Sequence, residues 1–140
     1  MKFNTYILLI IPLFSLIYCQ TENTSISYGS PLSGHMDNGV KLPYKGENFV
    51  PYSTLGFLLG RTYVNSRVRD IIVETYKIQQ TKSPDVIFMY GETGFENGGP
   101  FKPHKTHMNG TSVDFMVPII NKDEESIPLP TSVFNKFGYS

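Results

Sequence analysis

The stretch "PHKTHMNGTSVDF", residues 103–115, brings together two of the chain's three histidines, His104 and His107, and an aspartate, Asp114. Zinc accepts nitrogen from neutral imidazole and oxygen from carboxylate at about 2 Å, and a catalytic zinc needs three protein ligands and an open position. His107 in a loop and Asp114 at the start of a strand could meet at one point, because Gly110 between them permits a tight reversal. A histidine and an aspartate at this spacing also occur by chance, and a hydrogen-bonded polar loop has the same composition. At this level the pattern is compatible with either.

The remaining polar candidates carry less chemistry. His35 lies in a turn-rich segment and is expected at the surface. Glu92 and Glu96, in "GETGFENGG", could form an acid/base pair; without a metal they are expected to be solvated loop carboxylates. The same glycine-rich run lacks the Lys-Ser/Thr pair of a phosphate loop and opens no evident helix, which excludes that reading. Arg61, Arg67 and Arg69 are candidates to receive a substrate carboxylate, with surface roles expected for at least two of them. Asn23-Thr24-Ser25 and Asn109-Gly110-Thr111 match the N-glycosylation pattern, which is too short to carry weight alone.

These residues must be positioned by a modest set of elements. Between Asn65 and Gln80 the residues Val68, Ile71, Ile72, Thr75 and Gln79 follow helical spacing. Asn65 or Ser66 can cap the first amides, and Ser83-Pro84 ends the helix because the residue before proline is pushed out of the helical region. "DVIFMY", from Asp85, is a continuous apolar run expected to form a strand buried on both faces. In "TSVDFMVP" the alternation predicts a strand near Ser112–Val117, with Val113, Phe115 and Val117 on the core face and Asp114 pointing away. Residues 21–33, rich in Ser, Thr, Asn and Gly, read as a mobile lead-in, followed by turns and short extended pieces. The fold class is α+β: a small, mainly antiparallel sheet with one principal helix.

A chain of 140 residues suits one domain, and equal numbers of Lys+Arg and Asp+Glu, 12 of each, give no bias toward nucleic acid or an acidic membrane. Residues 1–20 read as a signal peptide: one lysine, then an apolar run from Tyr6 to Tyr18 too short to span a bilayer. The single cysteine, Cys19, closes that run in Leu16-Ile17-Tyr18-Cys19, a loose match to a bacterial lipobox, so a lipid anchor through its thiol is one expectation and simple cleavage the other. Either places residues 21–140 outside the cytoplasm, periplasmic or extracellular.

"NGVKLPYKGENF" and "GETGFENGGPFKPHKTHMNGTSVDFMVPI" together resemble the penicillin-insensitive murein endopeptidases, zinc peptidases grouped with the D-alanyl-D-alanine carboxypeptidases and the hedgehog signalling domain. The resemblance runs over residues 29–120 and is most specific from Gly91 to Asp114, where His-x-x-His is followed by Gly and Asp in the order His-x-x-Gly-x-x-x-Asp. It implies that His107 and Asp114 are zinc ligands and that His104 lies close to the metal with an open role. It also implies metal-assisted hydrolysis of the D-alanyl to diaminopimelyl cross-links of peptidoglycan. The family takes its third ligand and its base from a later His-x-His motif, which this sequence lacks. Residues 21–140 are therefore expected to be the N-terminal part of such a domain, without the C-terminal strands, third ligand and base, so that these residues alone are expected to be inactive and to bind zinc weakly. The alternatives are a non-catalytic module that binds peptidoglycan peptides, a D,D-carboxypeptidase, and a plain exported structural domain.

Overall fold

The computed structural model describes residues 24–132. The signal-peptide region with Cys19, Asn23 of the first glycosylation pattern and the C-terminal aromatic cluster lie outside them. The chain is α+β. A hairpin of β1 (Ile26–Ser30) and β2 (Ser33–Asp37) comes first, then β3 (Val40–Lys41), β4 (Phe49–Pro51), α1 (Thr54–Leu58), β5 (Tyr63–Val64) and α2 (Ser66–Lys82). β6 (Phe88–Tyr90), β7 (Phe115–Met116), β8 (Ile119–Ile120) and β9 (Ser126–Ile127) complete it. Among the described residues four of the five pairings between these strands are antiparallel; the exception is β4 alongside β6, joined through α2 as a parallel pair requires.

The central sheet has the order β4-β6-β7. α2 packs its aromatic side against it: Tyr76 stacks on Phe49 with ring centroids 4.5 Å apart and meets Phe88 at 5.6 Å. Leu42, Phe49, Val64, Ile72, Tyr76 and Tyr90 form the core, with Val40, Val68, Phe88 and Val113 packed around it. Asn65 caps α2 by accepting from the Arg67 amide at 3.0 Å, and Ser83 ends it, both as the sequence indicates. The buried row, however, is Val68, Ile72 and Tyr76, each one helical step of four from the last, while Ile71 is 65% exposed. A phenol at position 76 extends the apolar stripe because its ring enters the core whatever its hydroxyl does. The short α1, capped by Ser53 through its bond from the Gly56 amide at 2.9 Å, has too few residues to show a period in sequence.

Three expectations are corrected. The strand in "DVIFMY" is only Phe88–Tyr90, with Met89 and Tyr90 buried and Phe88 partly so. Alternation in "TSVDFMVP" puts Phe115 and Val117 outside, 58% and 82% exposed, and leaves Val113 alone against the core. β7 is a sheet edge flanked by coil, so its outer residues have no second layer to cover them. From residue 24 onward the lead-in is ordered: Ser25 and Ser27 find partners on the N-terminus of α2. Ser66 donates its amide to Ser25 Oγ at 2.9 Å, and Asn65 Nδ2 donates to Ser25 O at 3.2 Å and Ser27 Oγ at 2.9 Å. Composition alone cannot distinguish hydroxyls that solvate from hydroxyls that dock.

The hairpin matters because it clamps the glycine-rich loop. Met36 donates its amide to Asn97 O at 3.1 Å, and Met108 donates to Pro31 O at 3.0 Å. From the other side, Asn65 donates its amide to Gly110 O at 2.9 Å, and Thr93 donates to Arg61 O at 3.0 Å. The loop carrying both candidate histidines is thus held by β1-β2, β5 and the start of α2. Among the described residues no helix is long and apolar enough to cross a membrane.

Candidate metal centre

β6 runs into Gly91, whose amide donates to Asp114 O at 2.7 Å, so the β6-β7 ladder sets the height of Asp114 directly. Any side chain on residue 91 would intrude, since a Cβ there would sit 2.8 Å from the Asp114 Cβ. Glycine is what lets the two strands close to this distance. At the other end of the loop Gly110 has φ +73°, the left-handed turn that its lack of a side chain permits. His107 itself has φ +73°, a conformation that costs of order 1–3 kcal/mol in a residue with a Cβ and that persists where the surroundings over-determine it.

The imidazole of His107 is 1% exposed. Its Nδ1 lies 3.1 Å from the Ser112 carbonyl, which can only accept, so Nδ1 carries the proton and Nε2 presents a lone pair. Nε2 has no hydrogen-bond partner although it is buried, and it faces Asp114 Oδ2, also an acceptor, at 3.4 Å. Leaving the buried Nε2 unpaired costs about 1–3 kcal/mol, and a cation between it and the solvent-accessible Asp114 carboxylate, 43% exposed, would remove that cost. His104 completes the constellation with Nδ1 3.8 Å from Asp114 Oδ2. The ligand atoms of His104, His107 and Asp114 all lie within 4.8 Å of one another, and the three residues could hold a metal ion. Two donors bound to one tetrahedral ion at about 2 Å stand roughly 3.3 Å apart, which the 3.4 Å between His107 Nε2 and Asp114 Oδ2 matches, while the 3.8 Å from His104 Nδ1 to Asp114 Oδ2 is longer.

The structure therefore brings together all three residues marked in the stretch "PHKTHMNGTSVDF". His104, whose role the resemblance leaves open, stands beside Asp114. His35 stays away, exposed on β2 and stacked on Tyr28 at 4.5 Å. Asn109 is buried and its side-chain oxygen accepts from Thr111 Oγ1 at 2.7 Å, so the second glycosylation pattern is internal structure.

Glu92 departs from its expected place as a solvated carboxylate, while Glu96 is exposed as expected. Glu92 is part-buried and receives a two-pronged bond from Arg61, Nε to Oε1 at 2.5 Å and Nη2 to Oε2 at 2.8 Å, while its Oε2 is also 3.0 Å from His104 Nε2. Burial pushes its carboxyl pKa up, but the hydrogen bonds and charge of Arg61, with His104, outweigh burial and hold it below the ordinary glutamate value. Beneath lies Phe101, fully buried, its ring 5.5 Å from those of both histidines, with the Arg61 guanidinium 4.1 Å above it. Phe101 and the pairing of Arg61 with Glu92 were not legible in advance, since 31 residues separate the two charges. The one signal was position: Glu92 follows a strand at the mouth of the glycine-rich turn.

The chain matches no protein-family model, and a search of curated proteins returns no match either.

Proposed function

We propose that this protein is an exported zinc metallopeptidase acting on the D-alanyl to diaminopimelyl cross-links of peptidoglycan. The observation that carries the metal part is the buried, unpartnered His107 Nε2 facing the Asp114 carboxylate, with His104 beside it. Imidazole, imidazole and carboxylate are a donor set that zinc accepts in catalytic sites, and the three residues leave room for a fourth position. The peptidase part rests on the sequence resemblance to the murein endopeptidases. Zinc bound there supplies Lewis acidity, polarising a peptide carbonyl and making water a better nucleophile near neutral pH. Ser112 keeps the His107 lone pair turned inward, the β6-β7 ladder fixes Asp114, and Phe101 excludes water from beneath. A cleft of about 800 Å³ adjoins the centre through Arg61 and Glu92 and is lined farther out by Tyr52, Leu55 and Leu129, giving an extended peptide a place to lie.

The test is hydrolysis of purified cross-linked muropeptides, followed by chromatography, with zinc and with a chelator. Conversion of dimers to monomers only with zinc supports the reading. A zinc-loaded protein that binds the peptides and leaves them intact would replace it with the non-catalytic peptide-binding module. Release of terminal D-alanine alone would make it a carboxypeptidase.

A further inference from the structure

We propose that Glu92 is a positioning residue for the metal centre: it fixes His104 with the proton on Nε2 and the Nδ1 lone pair toward Asp114, and Arg61 holds Glu92 in that task. The inference deepens the zinc reading above and, for its metal-affinity part, rests on it.

Glu92 Oε2 stands 3.0 Å from His104 Nε2 and Asp114 Oδ2 stands 3.8 Å from His104 Nδ1, so one ring bridges two carboxylates. A neutral imidazole has one N–H, and whichever carboxylate takes it decides what the other nitrogen can do. With the proton on Nε2, the Glu92 bond is made at good length and Nδ1 is free to join His107 and Asp114 in binding a cation. With the proton on Nδ1, His104 would donate to Asp114 and withdraw two ligands at once. The geometry favours the first state, since 3.0 Å is a hydrogen bond and 3.8 Å is not.

Arg61 makes that state durable. Its bonds to both Glu92 oxygens orient the carboxylate, and a further bond from Nη2 to Lys102 O at 2.9 Å ties the guanidinium to the loop two residues before His104. Because Arg61 neutralises Glu92, the carboxylate serves as an acceptor and does not compete as a ligand. A metal-bound histidine whose second nitrogen donates to a carboxylate is a recurring arrangement, and its loss typically weakens metal binding about 10–100-fold.

The test uses the full chain with histidine labelled by ¹⁵N, metal-free at about pH 8 where imidazole is ordinarily neutral. Two-bond ¹⁵N–¹H spectra show which ring nitrogen bears hydrogen, and zinc affinity is measured in parallel by competition with a chelating dye. The wild-type His104 should show the Nε2–H form. E92Q, which must turn an amide NH₂ toward either Arg61 or His104, should shift it toward Nδ1–H and weaken zinc binding about 10–100-fold. R61K, which keeps the charge and loses the fork, should lie between. A wild-type spectrum with His104 protonated on Nδ1 would overturn the proposal without any variant, as would E92Q with unchanged tautomer and affinity. If the wild type takes up no zinc, the metallopeptidase reading falls, while the tautomer still decides the role of Glu92.

Discussion

The contact between Gly91 and Asp114 allows the sharpest perturbation of the centre by a single methyl group. A Cβ at residue 91 would lie 2.8 Å from Asp114 Cβ, 3.1 Å from Met116 Cε and 3.3 Å from Asp114 O. Carbon atoms rest at about 3.5–4.0 Å, so in G91A the start of β7 must retreat by roughly 0.7 Å. Met116 can swing its terminal methyl aside; the Asp114 backbone, bonded to the Gly91 amide at 2.7 Å, has no such freedom. Metal sites tolerate about ±0.2 Å in ligand distance, several times less than this displacement. Zinc affinity in G91A should fall about 10–100-fold, the range seen when a ligand is misdirected, with a stability cost of about 1–3 kcal/mol from overpacking. Dye competition gives the first and urea unfolding the second. If G91A folds and binds zinc as the wild type does, then either Asp114 is no ligand or the β6-β7 ladder does not set its position.

Zinc at a hundred times its dissociation constant should stabilise the protein by about 2.7 kcal/mol and raise its melting temperature by roughly 10 °C in calorimetry, with no such shift in H107A. Y76A should cost about 3–5 kcal/mol in urea unfolding, because it removes the ring packed between Phe49 and Phe88, whereas I71A, on the exposed side of α2, should stay within about 0.5 kcal/mol. N65A should lose about 1–2 kcal/mol, since Asn65 caps α2 and also binds Ser25 and Ser27, and faster amide exchange near residues 25–27 should accompany the loss.

What the sequence made legible follows from how local each signal is. The α2 helix shows both its cap at Asn65 and its stop at Ser83, because capping acts within a few residues. His107 and Asp114 could be paired from Gly110 and a strand start, and their side chains do converge at 3.4 Å. The contacts that make the centre chemically specific are long-range: Arg61 to Glu92 across the chain, Glu92 to His104 across the loop, and Phe101 beneath. Glu92 looked like any loop carboxylate because its partner arrives from a different element. The β1-β2 hairpin was hidden for the opposite reason, Ser25 and Ser27 suggesting solvent where they in fact dock on the start of α2. Phe115 and Val117 have the alternation of a buried strand, and only the sheet order, with β7 at the edge, leaves them outside.

The most direct test of the central claim is zinc stoichiometry by equilibrium dialysis of the purified chain, followed by elemental analysis, for the wild type, H107A, D114A and H35A. A centre built on the orphaned His107 nitrogen and the Asp114 carboxylate predicts one zinc per chain in the wild type and in H35A, whose histidine lies exposed on β2, and loss of that zinc in H107A and D114A. A wild-type protein without zinc, or H107A and D114A variants that retain it, would contradict the account.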